Sequence, residues 1–301
     1  MSVEVLRARA KIISTIRNFF VERGVLEVET PLLSPATVTD PHILSIPAIW
    51  KNQTFYLQTS PEFAMKRLLA AGSGSIFQIC KAFRQDETAQ YHHHEFTMLE
   101  WYRIGFDHHD LMNEMDELLQ RVLNCEPAER MTYADIFEKY TGLNPHFASK
   151  EQFVARARQL VEFSGELSDI NDWLDLLFTH CIEPKMQHDR PIFVYDYPIS
   201  QAALAKIRYE TPKVASRFEV YFKGIELANG FHELQNSAEQ RKRFEADLAY
   251  RKLHQLPEVP IDEDFLKALS NLPDCSGVAL GLDRLIMLKL NAKTLADCSN
   301  Q

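Results

Sequence analysis

Two alternating runs of apolar and polar residues predict a β-hairpin within the first third of the chain. In the run 76–84, one side carries Phe77, Ile79 and Phe83, and the other carries Gln78, Cys80, Ala82 and Arg84. In the return run, one side carries Phe96, Met98, Glu100 and Tyr102. The hairpin therefore presents an arginine, a glutamate, a tyrosine and a phenylalanine on one surface, which is either a sheet face open to water or a binding surface.

Three further patterns predict how the rest of the chain is arranged. Near the N-terminus, a helix with an apolar stripe (Leu6, Ile13, Ile16, Phe20) stops at Gly24 and is followed by a strand that ends at Pro31. Lys223-Gly224 is a tight-turn dipeptide, so Tyr221 should pair with Glu226 in a second hairpin. Near the C-terminus, a glycine-containing strand runs into a helix that carries Arg284 in its first turn.

The second hairpin places two carboxylates, Glu219 and Glu226, on one surface. Such a pair is either solvated, with Arg217 as a partner, or it holds a divalent cation, because Mg²⁺ favours a few carboxylates together with substrate phosphates. The hairpin pattern alone leaves both interpretations open.

Composition predicts a cytoplasmic enzyme without a membrane segment. The 301 residues are 46% hydrophobic, enough for one large domain or two small ones, and no apolar run is long enough to span a bilayer. Five cysteines without a C-x-x-C pair favour a reduced compartment and no structural zinc. Lys and Arg (33) are fewer than Asp and Glu (42), giving a net charge of −9, and no basic run favours tRNA as a partner.

Three ordered segments resemble the signature motifs of class II aminoacyl-tRNA synthetases, in the form that lysine-specific members carry. RNFFVERGVLEVETPLLSP resembles motif 1 (about 4–35), FRQDETAQYHHHEFTMLEWY motif 2 (about 76–103), and GVALGLDRLIML motif 3 (about 277–290). The resemblance implies an α+β fold, with an antiparallel sheet flanked by helices, in a single catalytic domain over residues 1–301. It also implies a homodimer built on motif 1.

Lysyl-tRNA synthetases place an anticodon-binding domain before motif 1, and here that motif begins close to Met1. We therefore expect no anticodon-binding domain. The resemblance is to short members of the family that attach lysine or (R)-β-lysine to translation elongation factor P. Two alternatives stay open: a stand-alone core that charges tRNA with lysine, and an inactive synthetase-like regulator.

The resemblance assigns roles to individual positions. Those matched to ATP are Arg84, Gln85, Asp86, His92, His93, Phe96, Glu226, Leu227, Gly281 and Arg284, with Arg84 and Arg284 as the catalytic pair. Those matched to the amino acid are Ser60, Pro61, Glu62, Glu100, Tyr102, Asn229, Phe231, Glu233 and Ala279. Glu219 and Glu226 correspond to the positions that hold ATP-bound Mg²⁺.

Several of these residues also have ordinary structural interpretations. Glu62 follows Thr59-Ser60-Pro61, a predicted cap with proline at the first helical position, where the helix dipole favours a glutamate. Phe96 is either a platform for adenine or a core aromatic.

Three positions depart from the family pattern. Asp86 stands where relatives carry glutamate, Ala279 stands where lysyl-tRNA synthetases carry glycine, and His92-His93-His94 replaces a His-Asn-Pro run. Adjacent histidines rarely converge on one ion, so we expect no metal at that run.

Overall fold

A computed structural model of the chain describes residues 2–85, 91–163, 165 and 167–298. Its helices are α1 (Val3–Val21), α2 (Glu62–Ala70), α3 (His108–Leu123), α4 (Tyr133–Thr141), α5 (Lys150–Leu160), α6 (Ile170–Leu177), α7 (Ser237–Leu253), α8 (Glu263–Leu269) and α9 (Leu282–Lys289). Its strands are β1 (Leu26–Glu27), β2 (Leu33–Ser34), β3 (Pro47–Trp50), β4 (Gln53–Leu57), β5 (Ile76–Phe83), β6 (Glu95–Ile104), β7 (Glu129–Thr132), β8 (Ile192–Pro198), β9 (Ile207–Arg208), β10 (Val214–Phe222), β11 (Ile225–His232) and β12 (Cys275–Gly281).

The contacts within the chain divide it into two compact units. The first combines Met1–Asp107 with Glu233–Gln301, and the second is His108–His232. The mixture of helices with largely antiparallel strands confirms the α+β class. The single catalytic domain over residues 1–301 stays a prediction.

In the first unit, β1, β5, β6 and β12 lie side by side in that order. β5, β6 and β12 are antiparallel neighbours, whereas the short β1 pairs with β5 in parallel. The predicted hairpin is confirmed, because Gln78 pairs with Glu100 and Ala82 with Phe96. The strand predicted to end at Pro31 is wrong in its bounds, because β1 ends at Glu27. The next strand, β2, begins after Pro31 and belongs to a separate small sheet of β2, β4 and β3.

Helix α1 covers one face of this sheet. It begins after Ser2, whose hydroxyl accepts the N–H of Val5, and ends before Gly24, which has φ +65°. Phe20 stacks on Phe77 with ring centroids 4.5 Å apart and meets the edge of Trp101 at 5.3 Å. These rings are buried, so the odd-numbered face of β5 is core and the even-numbered face, with Gln78, is left for other contacts.

In the second unit, β11, β10, β8 and β7 lie side by side, with β9 added to β10. Lys223 and Gly224 both have positive φ, 53° and 75°, as a two-residue hairpin turn of the I′ type requires. The turn pairs Tyr221 with Glu226, as predicted. An aromatic core around Tyr133, Phe137 and Phe178 packs the helices onto this sheet.

No helix within the described ranges has both the length and the apolar character that crossing a bilayer requires.

Candidate active site

Three buried or half-buried carboxylates and one lysine meet in the first unit. Glu62 opens α2, Glu100 lies in the middle of β6, and Glu233 follows β11. Lys66, one helical turn after Glu62, donates to Glu62 Oε1 at 2.6 Å, and its Nζ lies 2.5 Å from Glu233 Oε2. We call these four residues the carboxylate pocket; three anionic groups around a single cation make it a region that attracts positive charge.

Glu100 is held by two hydroxyl groups. Ser60 Oγ donates to one carboxylate oxygen at 2.6 Å, and the Tyr102 hydroxyl donates to the other at 2.7 Å. Burial, together with the nearby charge of Glu62, raises the pKa of Glu100 to about 7. The hydroxyl donors fix its orientation, and a cation brought close to it will favour the ionised form.

Glu233 is anchored by its backbone and exposes one carboxylate oxygen to the pocket. Its N–H donates to the Cys275 carbonyl at 3.0 Å, while its side chain is 1% exposed. Burial raises the pKa of Glu233 to about 8, although the charge of Lys66 opposes that rise. Within the described residues Oε1 has no hydrogen-bond partner. A buried carboxylate oxygen without a hydrogen-bond donor destabilises the fold until a donor binds to it. Such an oxygen therefore indicates a binding site for a cationic group.

Strand β12 forms the wall beside these groups. Gly277 pairs with Tyr102 and Ala279 with Glu100. A Cβ built on Gly277 would lie 2.2 Å from the Tyr102 ring and 2.7 Å from Glu233 Oε1, so only glycine fits there. Ala279 is placed directly across from Glu100, where its methyl group limits the space.

The arginines of motif 2 and motif 3 both contact the histidine-containing segment 91–94. Arg84 is half-buried, donates its N–H to the His94 carbonyl at 2.9 Å, and lies with its guanidinium carbon 5.2 Å from the Phe96 ring centre. Arg284 donates to the Tyr91 carbonyl at 3.1 Å and contacts the His92 ring. Gln85 is exposed, and its N–H donates to the Leu44 carbonyl. Asp86 lies outside the described residues.

A buried ion pair connects all three motif segments. Arg9 from α1 lies 2.7 Å from Asp283 Oδ1 and donates to Thr97 Oγ1 at 2.9 Å. Asp283 in turn accepts the Thr97 N–H at 2.6 Å. Since Thr97 follows Phe96 and Asp283 precedes Arg284, this cluster fixes the backbone next to two of the expected ATP contacts.

Four of the expected site residues, Glu219, Glu226, Asn229 and Phe231, lie in the second unit on one face of the β10–β11 hairpin. Leu227 is bulged out between the Val220–Ala228 and Tyr221–Glu226 pairs, so Glu219 lies across from Asn229 and Arg217 across from Phe231. The bulge changes the alternation, and as a result Glu226, Asn229 and Phe231 all share the face of Glu219.

Glu219 already has several donors. The hydroxyl groups of Tyr197 and Tyr221 donate to it at 2.6 and 2.5 Å, and Arg217 pairs with its other oxygen. Arg217 also donates to Asn229 Oδ1 at 3.2 Å. The sequence pattern left two interpretations of Glu219 open, an Arg217 partner and a cation site. The structure shows the Arg217 partner.

Comparison with known proteins agrees with the motifs. The model of the family of class II tRNA synthetases (D, K and N) matches residues 1–299. The chain belongs to this class II synthetase family. It is 55% identical to the elongation factor P–(R)-β-lysine ligase of Vibrio cholerae, covering 96% of this chain and 92% of the relative. It is 52% identical to the enzyme of that name from Edwardsiella ictaluri, covering 97% and 93%, and 50% identical to the one from Salmonella paratyphi B, covering 98% and 94%.

One detail of the predicted synthetase site needs correction. Helix α2 begins at Glu62, so Pro61 occupies the cap position and is not the first helical residue. Ser60 Oγ still accepts the Glu62 N–H at 3.1 Å, and its hydroxyl donates to Glu100. Ser60 therefore caps the helix and contacts the pocket at the same time. No group of three or more His, Cys, Asp or Glu side chains within the described ranges is arranged to hold a metal ion.

Sequence reasoning missed Lys66 and the Arg9–Asp283 pair. Lys66 stands four residues after Glu62, a spacing that usually indicates an ion pair on the surface of a helix. The sequence pattern therefore does not predict that Lys66 is buried. Arg9 and Asp283 lie at opposite ends of the chain, where no local pattern connects them.

Proposed function

We propose that this synthetase-family protein activates (R)-β-lysine, or lysine, with ATP and transfers it to a lysine ε-amino group of elongation factor P. The observation that carries the proposal is the carboxylate pocket. Its buried Glu233 oxygen and the raised pKa values of Glu100 and Glu233 suit a substrate that brings ammonium groups. A neutral or acidic amino acid would leave these carboxyls without counter-charge.

Activation requires a carboxylate oxygen of the amino acid to attack the α-phosphorus of ATP. The bond from that phosphorus to the β-phosphate oxygen breaks, and pyrophosphate leaves. Arg84 is proposed to bind the α-phosphate and the attacking carboxylate, because its planar guanidinium donates two hydrogen bonds at once. Arg284 is proposed to bind the γ-phosphate, and Phe96 to stack on adenine.

Transfer then requires a neutral ε-amino nitrogen of the acceptor to attack the activated carbonyl. An amide forms, AMP leaves with the electrons of the broken anhydride bond, and the nitrogen loses a proton. Translation takes place in the cytoplasm, and we propose that compartment for the reaction.

Magnesium is the expected companion of ATP. A carboxylate offers about four acceptor positions, and Glu219 uses three of them for Tyr197, Tyr221 and Arg217. Glu226 is half-buried. This donor set fits Mg²⁺ that takes most of its ligands from water and phosphate oxygens, and the two residues are proposed to hold it. Bound there, the ion would neutralise phosphate charge.

The test is a product assay with both acceptors in parallel. The purified protein with ATP and (R)-β-lysine should raise the mass of elongation factor P by one lysyl residue and leave lysine tRNA uncharged. Efficient tRNA charging with no protein modification would overturn the acceptor assignment.

A variant pair tests the role of Arg84. Arg84→Ala should lower lysine-dependent ATP–pyrophosphate exchange by about 10²- to 10³-fold, the usual effect of removing an electrostatic anchor. Arg241→Ala is the control, because the Arg241 side chain is 41% exposed and pairs with the exposed Glu263. Equal exchange in the two variants would remove Arg84 from the mechanism.

A further inference from the structure

Lys66 is the one pocket residue to which the family resemblance gives no role. Its side chain is 1% exposed, and its ammonium lies between Glu62 and Glu233, with the Phe265 ring of α8 centred 5.9 Å away. Burial lowers the pKa of Lys66, but the charges of Glu233 and Glu62 outweigh this effect and raise it above the ordinary value. Lys66 is therefore a permanent cation inside the pocket.

The charges around Lys66 can be counted. Glu62, Glu100 and Glu233 contribute three negative charges when ionised, and Lys66 contributes one positive charge, which leaves two negative charges. Three other titratable groups interact with these carboxyls: Tyr102 on β6, Cys275 on β12 and Cys80 on β5. All three have raised pKa values, so they stay neutral near pH 7. Two negative charges match the two ammonium groups of lysine or β-lysine.

The geometry separates the two oxygens of Glu233. Oε2 contacts the Lys66 ammonium at 2.5 Å, whereas Oε1 lies beside Gly277 and has no hydrogen-bond partner in the described part of the chain. Lys66 thus holds the carboxylate in one orientation and leaves a single oxygen to receive a donor.

We propose that Lys66 is a positioning residue for the substrate: it favours the ionised form of Glu233 and holds it turned so that Oε1 receives a substrate ammonium group. This inference rests on the proposed function and deepens it. Without Lys66, Glu62 and Glu100 would repel the Glu233 charge with no cation to offset them. The pKa of Glu233 would then rise further above the value of about 8 that it has beside Lys66, and a smaller ionised fraction would be left to bind an ammonium group.

The first experiment compares Lys66→Met with the native protein in ATP–pyrophosphate exchange driven by (R)-β-lysine, from pH 6 to pH 9. At pH 7 the variant should raise KM on the order of 30-fold or more, with a smaller change in kcat, as expected when one partner of a buried charge pair is removed. The ratio of the two KM values should fall as the pH rises towards 9, because a growing fraction of Glu233 in the variant then loses its proton. Titration of the substrate itself affects both proteins and cancels in the ratio.

Matched variants distinguish positioning from a purely structural role. Arg67→Met removes a cation from the same helix, one that pairs with Asp262, and should leave KM near the native value. A KM ratio for Lys66→Met that stays constant across the pH range would overturn the inference, because lost packing has no reason to titrate.

A double variant covers the case in which Lys66→Met does not fold. In the Glu233→Gln background no carboxylate is left at that position for Lys66 to orient, so adding Lys66→Met should change KM less than about threefold. A full additional effect would contradict the proposal. Failure of the proposed function would look different: the native protein would show no exchange with lysine or β-lysine at any pH.

Discussion

Replacing Gly277 by alanine should disrupt the carboxylate pocket through one methyl group. The new Cβ would lie 2.2 and 2.3 Å from two carbons of the Tyr102 ring and 2.7 Å from Glu233 Oε1. Ordinary contact begins at 3.4 Å, so the ring has to move by about 1.2 Å, the difference between 3.4 and 2.2 Å. Tyr102 is only 2% exposed and its hydroxyl donates to Glu100, so the movement strains a packed side chain and its hydrogen bond.

Overpacking of this kind destabilises a protein by ~1–3 kcal/mol. If the hydrogen bond to the Glu100 carboxylate also breaks, a further ~1.5–3 kcal/mol is lost. The matched control is Gly281→Ala in the same strand. The three nearest atoms to a Cβ there belong to the Arg284 side chain, at 3.5–3.8 Å, and φ is −68°, which alanine adopts without strain. We expect that change to stabilise the fold by ~0.4–1 kcal/mol, because alanine lowers the conformational entropy of the unfolded chain.

Urea unfolding followed by far-ultraviolet circular dichroism compares the two variants, and calorimetric titration measures their affinity for (R)-β-lysine. Gly277→Ala should unfold at lower urea than the native protein and bind the amino acid at least about tenfold more weakly, a loss of ~1.4 kcal/mol. Gly281→Ala is the control for the urea unfolding measurement and not for the affinity measurement. If Gly277→Ala is as stable as Gly281→Ala and binds as tightly as the native protein, the contact between β12 and Tyr102 does not shape the pocket.

Three further predictions concern specificity, pH and assembly. Ala279→Gly should increase the use of α-lysine relative to (R)-β-lysine in pyrophosphate exchange, because a methyl-sized change is worth ~1–3 kcal/mol; an unchanged preference would exclude Ala279. Folding raises the pKa values of Glu100 and Glu233 from 4.5 to about 7 and 8, so their contribution to stability is complete below pH 4.5 and is lost as the pH rises through those values. Added lysine, which binds the ionised forms, should therefore raise the melting temperature more at pH 8 than at pH 6, and equal shifts would contradict this. Sedimentation at micromolar concentration should give twice the 34.8 kDa chain mass, since Val21 and Leu26 in the motif 1 segment are 69% and 55% exposed; a monomer would refute the expected homodimer.

The sequence predicted best those features that depend on neighbouring residues. Alternation placed Glu100 and Tyr102 on one face of β6, and a two-residue turn fixed the pairing of Tyr221 with Glu226. Both are consequences of strand geometry and turn chemistry, which act over a few residues.

The features that sequence did not reveal depend on distant partners or on small irregularities. Nothing in Ile225–His232 marks Leu227 as a bulge, yet that bulge decides which residues join Glu219. Lys66 has the spacing of a surface pair with Glu62 and becomes a pocket residue only because Glu233, far along the chain, lies beside it. Burial of a charge is decided by the whole fold, so a local pattern cannot report it.

The first unit is assembled from both ends of the chain, and this arrangement determines when the enzyme can become active during its synthesis. His108–His232 is continuous and is synthesised before Glu233–Gln301, so the second unit can form before the first is complete. Arg9 emerges early but must wait for Asp283, and Tyr102 must wait for Gly277. Contacts between such distant residues form slowly. The carboxylate pocket is therefore completed only after nearly the whole chain has been made, and a chain interrupted before β12 would lack the strand that places Gly277 beside Tyr102.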